Sequence, residues 1–264
     1  MCEVGAAGLH IETVGAGPPL VLLHGWAMHG GLFAPILPVL AERYRVSVVD
    51  LPGHGRSAPV VPYTLDAIVA AIAAQFDEAD EPVTILGWSF GGAIAMRWAR
   101  VHPEHVARLL LVCATPRFTA SDDWPHAMAP ATLAKFGDEL TVAYRLTLQR
   151  FLSLQVQGSD EGRATLAALR GQLFARGEPS RATLKAALGV LAETDLRDDA
   201  RSITAPTLIV TGERDGLVPR AAGAWLARTI HGARHVDIPG AAHAPFLSHP
   251  RAFNAEIQGF LDAR

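Results

Sequence analysis

Short apolar runs alternate along the chain with longer stretches of helical periodicity. PLVLLHG (19–25), RVSVVD (45–50), VTILGWS (83–89), LLLVCAT (109–115), TLIVTG (207–212) and RHVDIPG (234–240) read as strands. Most of them lack in/out alternation, as expected of strands covered by helices on both faces. LHIETVG (9–15) reads as a more exposed, antiparallel leading strand. Helical patterns fall near 31–42, 64–79, 91–102, 219–230 and 250–262. This β–α alternation predicts an α/β fold built on a mostly parallel, doubly wound sheet. There is no internal repeat and no low-complexity tail.

The alternation fails once, between 116 and 195. No convincing strand appears there, and TLAKFGDELTVAYRLTLQRFLSLQVQ and RATLAALRGQLFA have the pattern of amphipathic helices. The expected organisation is a core formed by 1–115 and 196–264, with 116–195 inserted as a helical lid above the sheet's C-terminal edge. Ordinary crossover helices are the plainer alternative, but roughly eighty residues is long for one crossover.

Composition narrows the function without deciding it. The 264 residues fit one large α/β domain or a domain with an insertion, and half of them are hydrophobic. The net charge of −3 and the lack of a basic run argue against general nucleic-acid binding. Cys2 and Cys113 form neither a disulfide framework nor a metal-ligand pattern. No signal-peptide pattern and no long apolar run is present, so a cytoplasmic chain, not bound to a membrane and monomeric, is expected.

The chemistry centres on TILGWSFGGAIAMRWA (84–99). Gly87-x-Ser89-x-Gly91 lies between a strand pattern and a helix pattern. A serine at such a sharp turn takes strained backbone angles, larger neighbours would clash, and its hydroxyl is lifted above the sheet edge. The helix that begins at Phe90 aims backbone N–H groups at the same spot. A mere tight turn is the plainer reading of these glycines, but it does not account for the strand-to-helix context.

A serine hydroxyl needs a base, and the base needs an orienting carboxylate. TLIVTGERDGLVP places Asp215 just past a strand, and IPGAAHAPFLSHP places His243 just past the last one. The order Ser89…Asp215…His243 suits a nucleophile-elbow hydrolase. Glu213 and Asp237 are rival acids and His249 a rival base, while His24 is expected to support its loop. The oxyanion donors should be the backbone N–H of Phe90 and that of Trp26, in the loop after the strand at 19–25. DLPGHGRS (50–57) reads as loop architecture, since it lacks the lysine of a phosphate loop.

The set LLHGW, VDLPGHGRS, GWSFGG, GERDGLVP and AAHAPFLSHP resembles the α/β-hydrolase fold family. CATPRFTASDDWP, QRFLSLQ and TDLRDDARSITAPTLIVTGERDGLVPR are similar, within that fold, to the pimeloyl-acyl carrier protein methyl ester esterases of biotin synthesis. The resemblance implies Ser89 as nucleophile, His243 as base and Asp215 as its orienter. It also implies that Trp26 and Phe90 line the oxyanion site and that Phe151, Leu152, Ser153, Leu154 and Gln155 border the acyl chain. It further implies arginines that hold an acidic acyl carrier protein. Arg150 and Arg163 fall where these are expected, with Arg145 and Arg170 nearby. Residues 145–185 hold six Arg and one Lys against three acids, a local net charge of +4; a solvated helix face is the plainer reading of the same residues.

The function expected is serine carboxyl-ester hydrolysis, freeing methanol from the carrier-bound methyl ester with no metal or organic cofactor. A broad short-chain carboxylesterase and a carbon–carbon bond hydrolase share the same triad and fold. A non-catalytic ligand receptor on this scaffold would need a damaged triad. A haloalkane dehalogenase would need Asp at position 89.

Overall fold

The computed structural model describes residues 2–4, 8–77 and 81–263. Eight strands form one sheet in the order β1-β2-β4-β3-β5-β6-β7-β8. They are β1 (Cys2–Val4), β2 (His10–Val14), β3 (Pro19–Leu23), β4 (Arg45–Val49), β5 (Val83–Trp88), β6 (Val106–Val112), β7 (Thr207–Gly212) and β8 (Arg234–Ile238). β1 pairs antiparallel with β2, and β2 with β4; every other pairing is parallel. β3, β5 and β7 are buried along their whole length, as their unbroken apolar character requires. β2 is half-buried and ends exposed at Val14.

The helices of the first half are α1 (Leu37–Ala41), α2 (Leu65–Ala73) and α3 (Phe90–Val101). α4 (Pro130–Val142), α5 (Tyr144–Val156), α6 (Gly162–Gln172) and α7 (Arg181–Glu193) follow β6. The chain closes with α8 (Arg197–Ser202), α9 (Arg220–Thr229), α10 (Pro245–Ser248) and α11 (Pro250–Leu261). α3 packs on β5 and β6, and α9 on β7 and β8. None of the helices among the described residues is long and apolar enough to cross a membrane.

Several boundaries differ from the sequence pattern, each for a local reason. The helix expected over 31–42 is a 3-10 turn at Gly30–Phe33 followed by the five-residue α1. Pro35 and Pro38 interrupt it, because proline removes an N–H and the residue before it avoids the helical region. α2 stops at Ala73, not 79, in tight turns from Gln75 N–H to Ile72 O and Phe76 N–H to Ala73 O; residues 78–80 lie outside those described. β6 ends at Val112, not 115, because Cys113 turns out of the strand at φ 46°. The helical pattern over 132–157 is two helices, broken at Ala143 (φ −130°, ψ 48°). Residues 116–195 contain only isolated bridges between α4–α7 and their connections, with no named strand.

The topology positions the site. β4 lies on one side of β3 and β5 on the other, so the chain reverses direction across the sheet between β3 and β5. Crevices open beyond the carboxyl ends of strands at such a switch point. The register aligns Leu23 with Gly87, Trp88 with Val112, Val112 with Val210 and Gly212 with Ile238. The loops carrying Trp26, Ser89, Cys113, Asp215 and His243 therefore leave the sheet at one edge.

Candidate active site

Ser89 ends β5 with φ 55° and ψ −114°, a left-handed conformation that costs a residue with a side chain about 1–3 kcal/mol. The turn is held by Ser89 N–H donating to Val112 O at 2.9 Å and by Gly92 N–H donating to Ser89 O at 2.9 Å. The flanking glycines are steric requirements. A Cβ at Gly87 would collide with the backbone of Gly91, and one at Gly91 with the carbonyl of Leu23. The Ser89 hydroxyl does not cap α3, and the residue is only half-buried.

Asp215 and His243 meet at the same sheet edge, with no hydrogen bond from the Ser89 hydroxyl to the imidazole. His243 Nδ1 lies 2.8 Å from Asp215 Oδ2. The other carboxylate oxygen accepts the N–H groups of Leu217 and Val218, both at 2.9 Å. In the tautomer whose Nδ1 proton is directed at Asp215, Nε2 carries the lone pair. Nε2 is buried without a hydrogen-bond partner. The histidine backbone is fixed from both sides: Trp88 Nε1 donates to His243 O at 2.7 Å, and His243 N–H donates to Gln155 O of α5 at 3.0 Å.

The rival residues have other tasks. Glu213 accepts Gly240 N–H at 2.9 Å. Asp237 bonds Thr211 and Arg220. The His249 Nδ1 lies 2.8 Å from Ser248 Oγ. His24 is internal scaffolding: its Nε2 accepts Leu51 N–H at 2.9 Å and its Nδ1 donates to Gly25 O at 2.8 Å. Burial pushes its pKa well below the usual histidine value, so it is neutral. In the 50–57 loop the buried Asp50 receives Gly30 N–H, Arg56 N–H and the Arg176 guanidinium, which is a loop-holding role.

The loop after β3 runs close to the serine. A Cβ at Gly25 would lie 3.1 Å from the Trp88 ring and 3.3 Å from Ser89 Cβ, so a side chain here would press on the serine turn. Among the described residues, neither Trp26 N–H nor Phe90 N–H donates to a backbone carbonyl. The Trp26 indole donates to Leu184 O of α7 at 3.0 Å and packs edge-on against Phe151 and Phe136.

An apolar cavity of about 40 Å³ runs from Ser89 past Trp26, Phe136, Phe151 and Leu154. Met128, Thr132, Leu154 and Leu217 also border a second, wider cavity of about 260 Å³. Of the five residues expected beside an acyl chain, Phe151 and Leu154 line the first cavity. They are three apart on α5 and so share a face. Leu152 is fully buried outside the lining, and Ser153 is exposed, its hydroxyl donating back to Gln149 O. Gln155 is buried with both amide atoms unpartnered, and serves His243 through its carbonyl.

The four arginines are all exposed. Arg145 pairs with Glu178 at 2.8 Å and Arg150 with Glu139 at 3.2 Å. Arg163 and Arg170, on α6, have no ion pair among the described residues. Among the described residues, two side-chain groups come within metal-ligand reach of one another: Cys113 with Asp215 and His243, and His102 with Glu104 and His105. In the first, the carboxylate and imidazole are already committed to each other.

The sequence did not mark four of these supports: the Leu217 and Val218 amides, the Gln155 carbonyl and the Leu184 carbonyl. Each is a backbone group that any residue type supplies, and only the packing brings it to the site. Trp88 was the one readable signal, as a large donor side chain next to the serine.

A family model described as alpha/beta hydrolase fold matches residues 18–250. The chain belongs to the α/β-hydrolase family. It is 45% identical over 256 residues to the pimeloyl-[acyl-carrier protein] methyl ester esterase of Chromobacterium violaceum, covering 97% of this chain and 99% of that one. The protein of the same name from Xanthomonas campestris pv. campestris (strain B100) is 46% identical over 258 residues, with the same coverage. Among solved structures, the esterase EaEST from Exiguobacterium antarcticum superposes with a TM-score of 0.87 at 25% identity, covering 97% of this chain and 96% of its own. A bromoperoxidase from Bacillus anthracis superposes equally well at 24% identity, covering 97% and 95%, a likeness of fold alone. With near-full-length relatives at 45–46% identity named as esterases, the protein is a carboxylic ester hydrolase.

Proposed function

We propose that the protein hydrolyses the methyl ester of pimeloyl-acyl carrier protein, releasing methanol and a free carboxylate for biotin synthesis. Ser89 attacks the ester carbonyl while His243 Nε2 takes its proton, and Asp215 holds the imidazole in the tautomer that leaves Nε2 basic. The Trp26 and Phe90 N–H groups receive the developing oxyanion, where removing one such donor costs roughly 3 kcal/mol of barrier. The tetrahedral intermediate collapses as His243 returns the proton to methoxide. Water, deprotonated by the same imidazole, then hydrolyses the acyl-enzyme.

The observation that carries the reading is the apolar cavity lined by Ser89, Phe151 and Leu154, with a wider cavity bordering it at Leu154. It suits a chain of methylenes reacting at its far end while the other end remains outside on a carrier. The names of the relatives agree with it. In this reading residues 116–195, with α4–α7, form a lid. Arg150, Arg163, Arg145 and Arg170 on α5 and α6 face the acidic carrier, for which the forked guanidinium is well suited.

The test is direct. Purified protein is mixed with the methyl ester of pimeloyl-acyl carrier protein, and methanol release and the gain of one carboxylate are followed. Expression in a biotin-requiring strain lacking its own methyl ester esterase should restore growth, and Ser89→Ala should not. Hydrolysis of simple esters without turnover of the carrier-bound one, and without rescue, would leave a general carboxylesterase.

A further inference from the structure

Ser89 opens onto two cavities. Besides the long one, it lines a second of about 10 Å³, and Phe118 and Leu191 border both. That volume holds about one water-sized group. Its remaining wall includes Ala93 of α3, Cys113 after β6, and Thr194 just beyond α7. The Cys113 sulfur in its wall lies within 4.8 Å of a ligand atom of both Asp215 and His243, which places this cavity next to that pair although neither lines it.

An ester bound for attack directs its acyl chain and its alkoxy group away from the carbonyl carbon in different directions. The alkoxy oxygen must lie toward the histidine, because that oxygen leaves with the histidine's proton as the carbon–oxygen bond breaks. The acyl chain needs the long apolar cavity. We infer that the small cavity bounded by Phe118, Leu191 and Thr194 is the leaving-alcohol pocket and restricts the enzyme to esters of the smallest alcohols, with Thr194 as a size-determining residue. This inference rests on the esterase reading above and adds the alcohol side of its specificity.

Thr194 is suited to a test because its backbone (φ −72°, ψ 128°) accepts any side chain without strain. It also lies outside the triad and the oxyanion donors. The substrates are the monomethyl, monoethyl, mono-n-propyl and mono-n-butyl esters of pimelic acid. With the acid constant and long, the ester cannot bind reversed, since the small cavity excludes the acid's chain. In the parent, kcat/KM should fall about tenfold or more between methyl and butyl, the scale on which pockets sense added methylenes. Thr194→Ala should shrink that ratio at least threefold, mainly by raising the butyl rate. Thr194→Leu should lower the methyl rate and steepen the series, and circular dichroism would show both variants folded. A flat series in the parent, with all four esters hydrolysed, overturns the pocket assignment and leaves the esterase reading standing. So does a steep series that neither variant changes. A protein that hydrolyses none of the four overturns both.

Discussion

At the scale of the residue, Ser89 carries the clearest link from sequence to chemistry. Two glycines, each barred from a Cβ by a neighbouring backbone, permit a turn that holds this side chain at φ 55°. The strain has a measurable consequence. Ser89→Ala and Ser89→Gly should both lose ester hydrolysis, but the glycine variant, free of the positive-φ penalty, should unfold at higher denaturant, by about 1 kcal/mol or more. Equal unfolding midpoints, or activity retained in either variant, would remove the strained-nucleophile account. Asp215→Asn should lower kcat by several orders of magnitude, because an amide can donate to Nδ1 and turn the lone pair away from Ser89. If Asp215→Asn stayed active, Glu213 would be the next acid to test. The proposed roles could be read from motif spacing, since each depends on a residue type that few others can replace. The amides of Leu217 and Val218 that fix Asp215 could not, because a backbone N–H has no residue-type signature.

At the scale of the element, α5 distributes its tasks by helical periodicity. Phe151 and Leu154 line the cavity, while Arg145, Gln149, Arg150 and Ser153 face solvent. Phe151 stacks edge-on against Trp26 with ring centres 4.9 Å apart, so it joins the proposed lid to the oxyanion loop. Phe151→Ala should therefore reduce kcat/KM for medium-chain esters more than for acetyl esters, by up to about 0.8 kcal/mol for each methylene that loses its contact. Equal losses across chain length would make Phe151 a packing residue only. The exposed face leads to a second expectation. Exchanging Arg150 and Arg163 for glutamate should raise KM for the carrier-bound ester and leave a small free methyl ester unaffected; added salt should slow the parent only on the carrier-bound substrate. Unchanged kinetics on both substrates would assign these arginines to a solvated face. Arg150 already pairs with Glu139, so the unpaired Arg163 should give the cleaner single-site effect. The sequence pattern marked α5 and α6 as helices but ran α4 and α5 together. Both are amphipathic, and the break at Ala143 is a backbone bend between two packed helices with neither glycine nor proline to announce it.

At the scale of the whole molecule, stability and site are joined through buried polar groups under the loops. The rings of His24 and His54 lie 5.6 Å apart, and both are fully buried. Burial lowers the pKa of His24 well below its ordinary value and that of His54 to about 4. The unfolded chain binds protons on these residues below pH 6.5 and the folded chain does not, so stability is complete above that value and is lost as pH falls. Between pH 6.5 and about 4 the loss should be about 1.4 kcal/mol per pH unit for each histidine that remains neutral when folded. Urea midpoints at pH 7 and pH 5 measure it, and His54→Gln should flatten the difference; an unchanged pH slope in that variant would show that His54 titrates freely. The helical segment is tied to the core by a comparable set of contacts: Arg176 to Asp50 and Glu12, His29 to Gln172 O, and Trp26 to Leu184 O. By itself the sequence determined the doubly wound sheet, the strand-to-helix turn at Ser89, the placing of Asp215 and His243 just past later strands, and the helical character of residues 116–195. These depend on local periodicity and on residue types whose chemistry has few substitutes. Only the tertiary structure decided how the site is bounded: which α5 residues share a cavity with the serine, which carbonyls fix His243 and Trp26, and that Phe118 and Leu191 border both cavities at Ser89. Those features arise where segments distant in the chain pack together, and side chains of ordinary apolar type acquire their meaning there from what they touch.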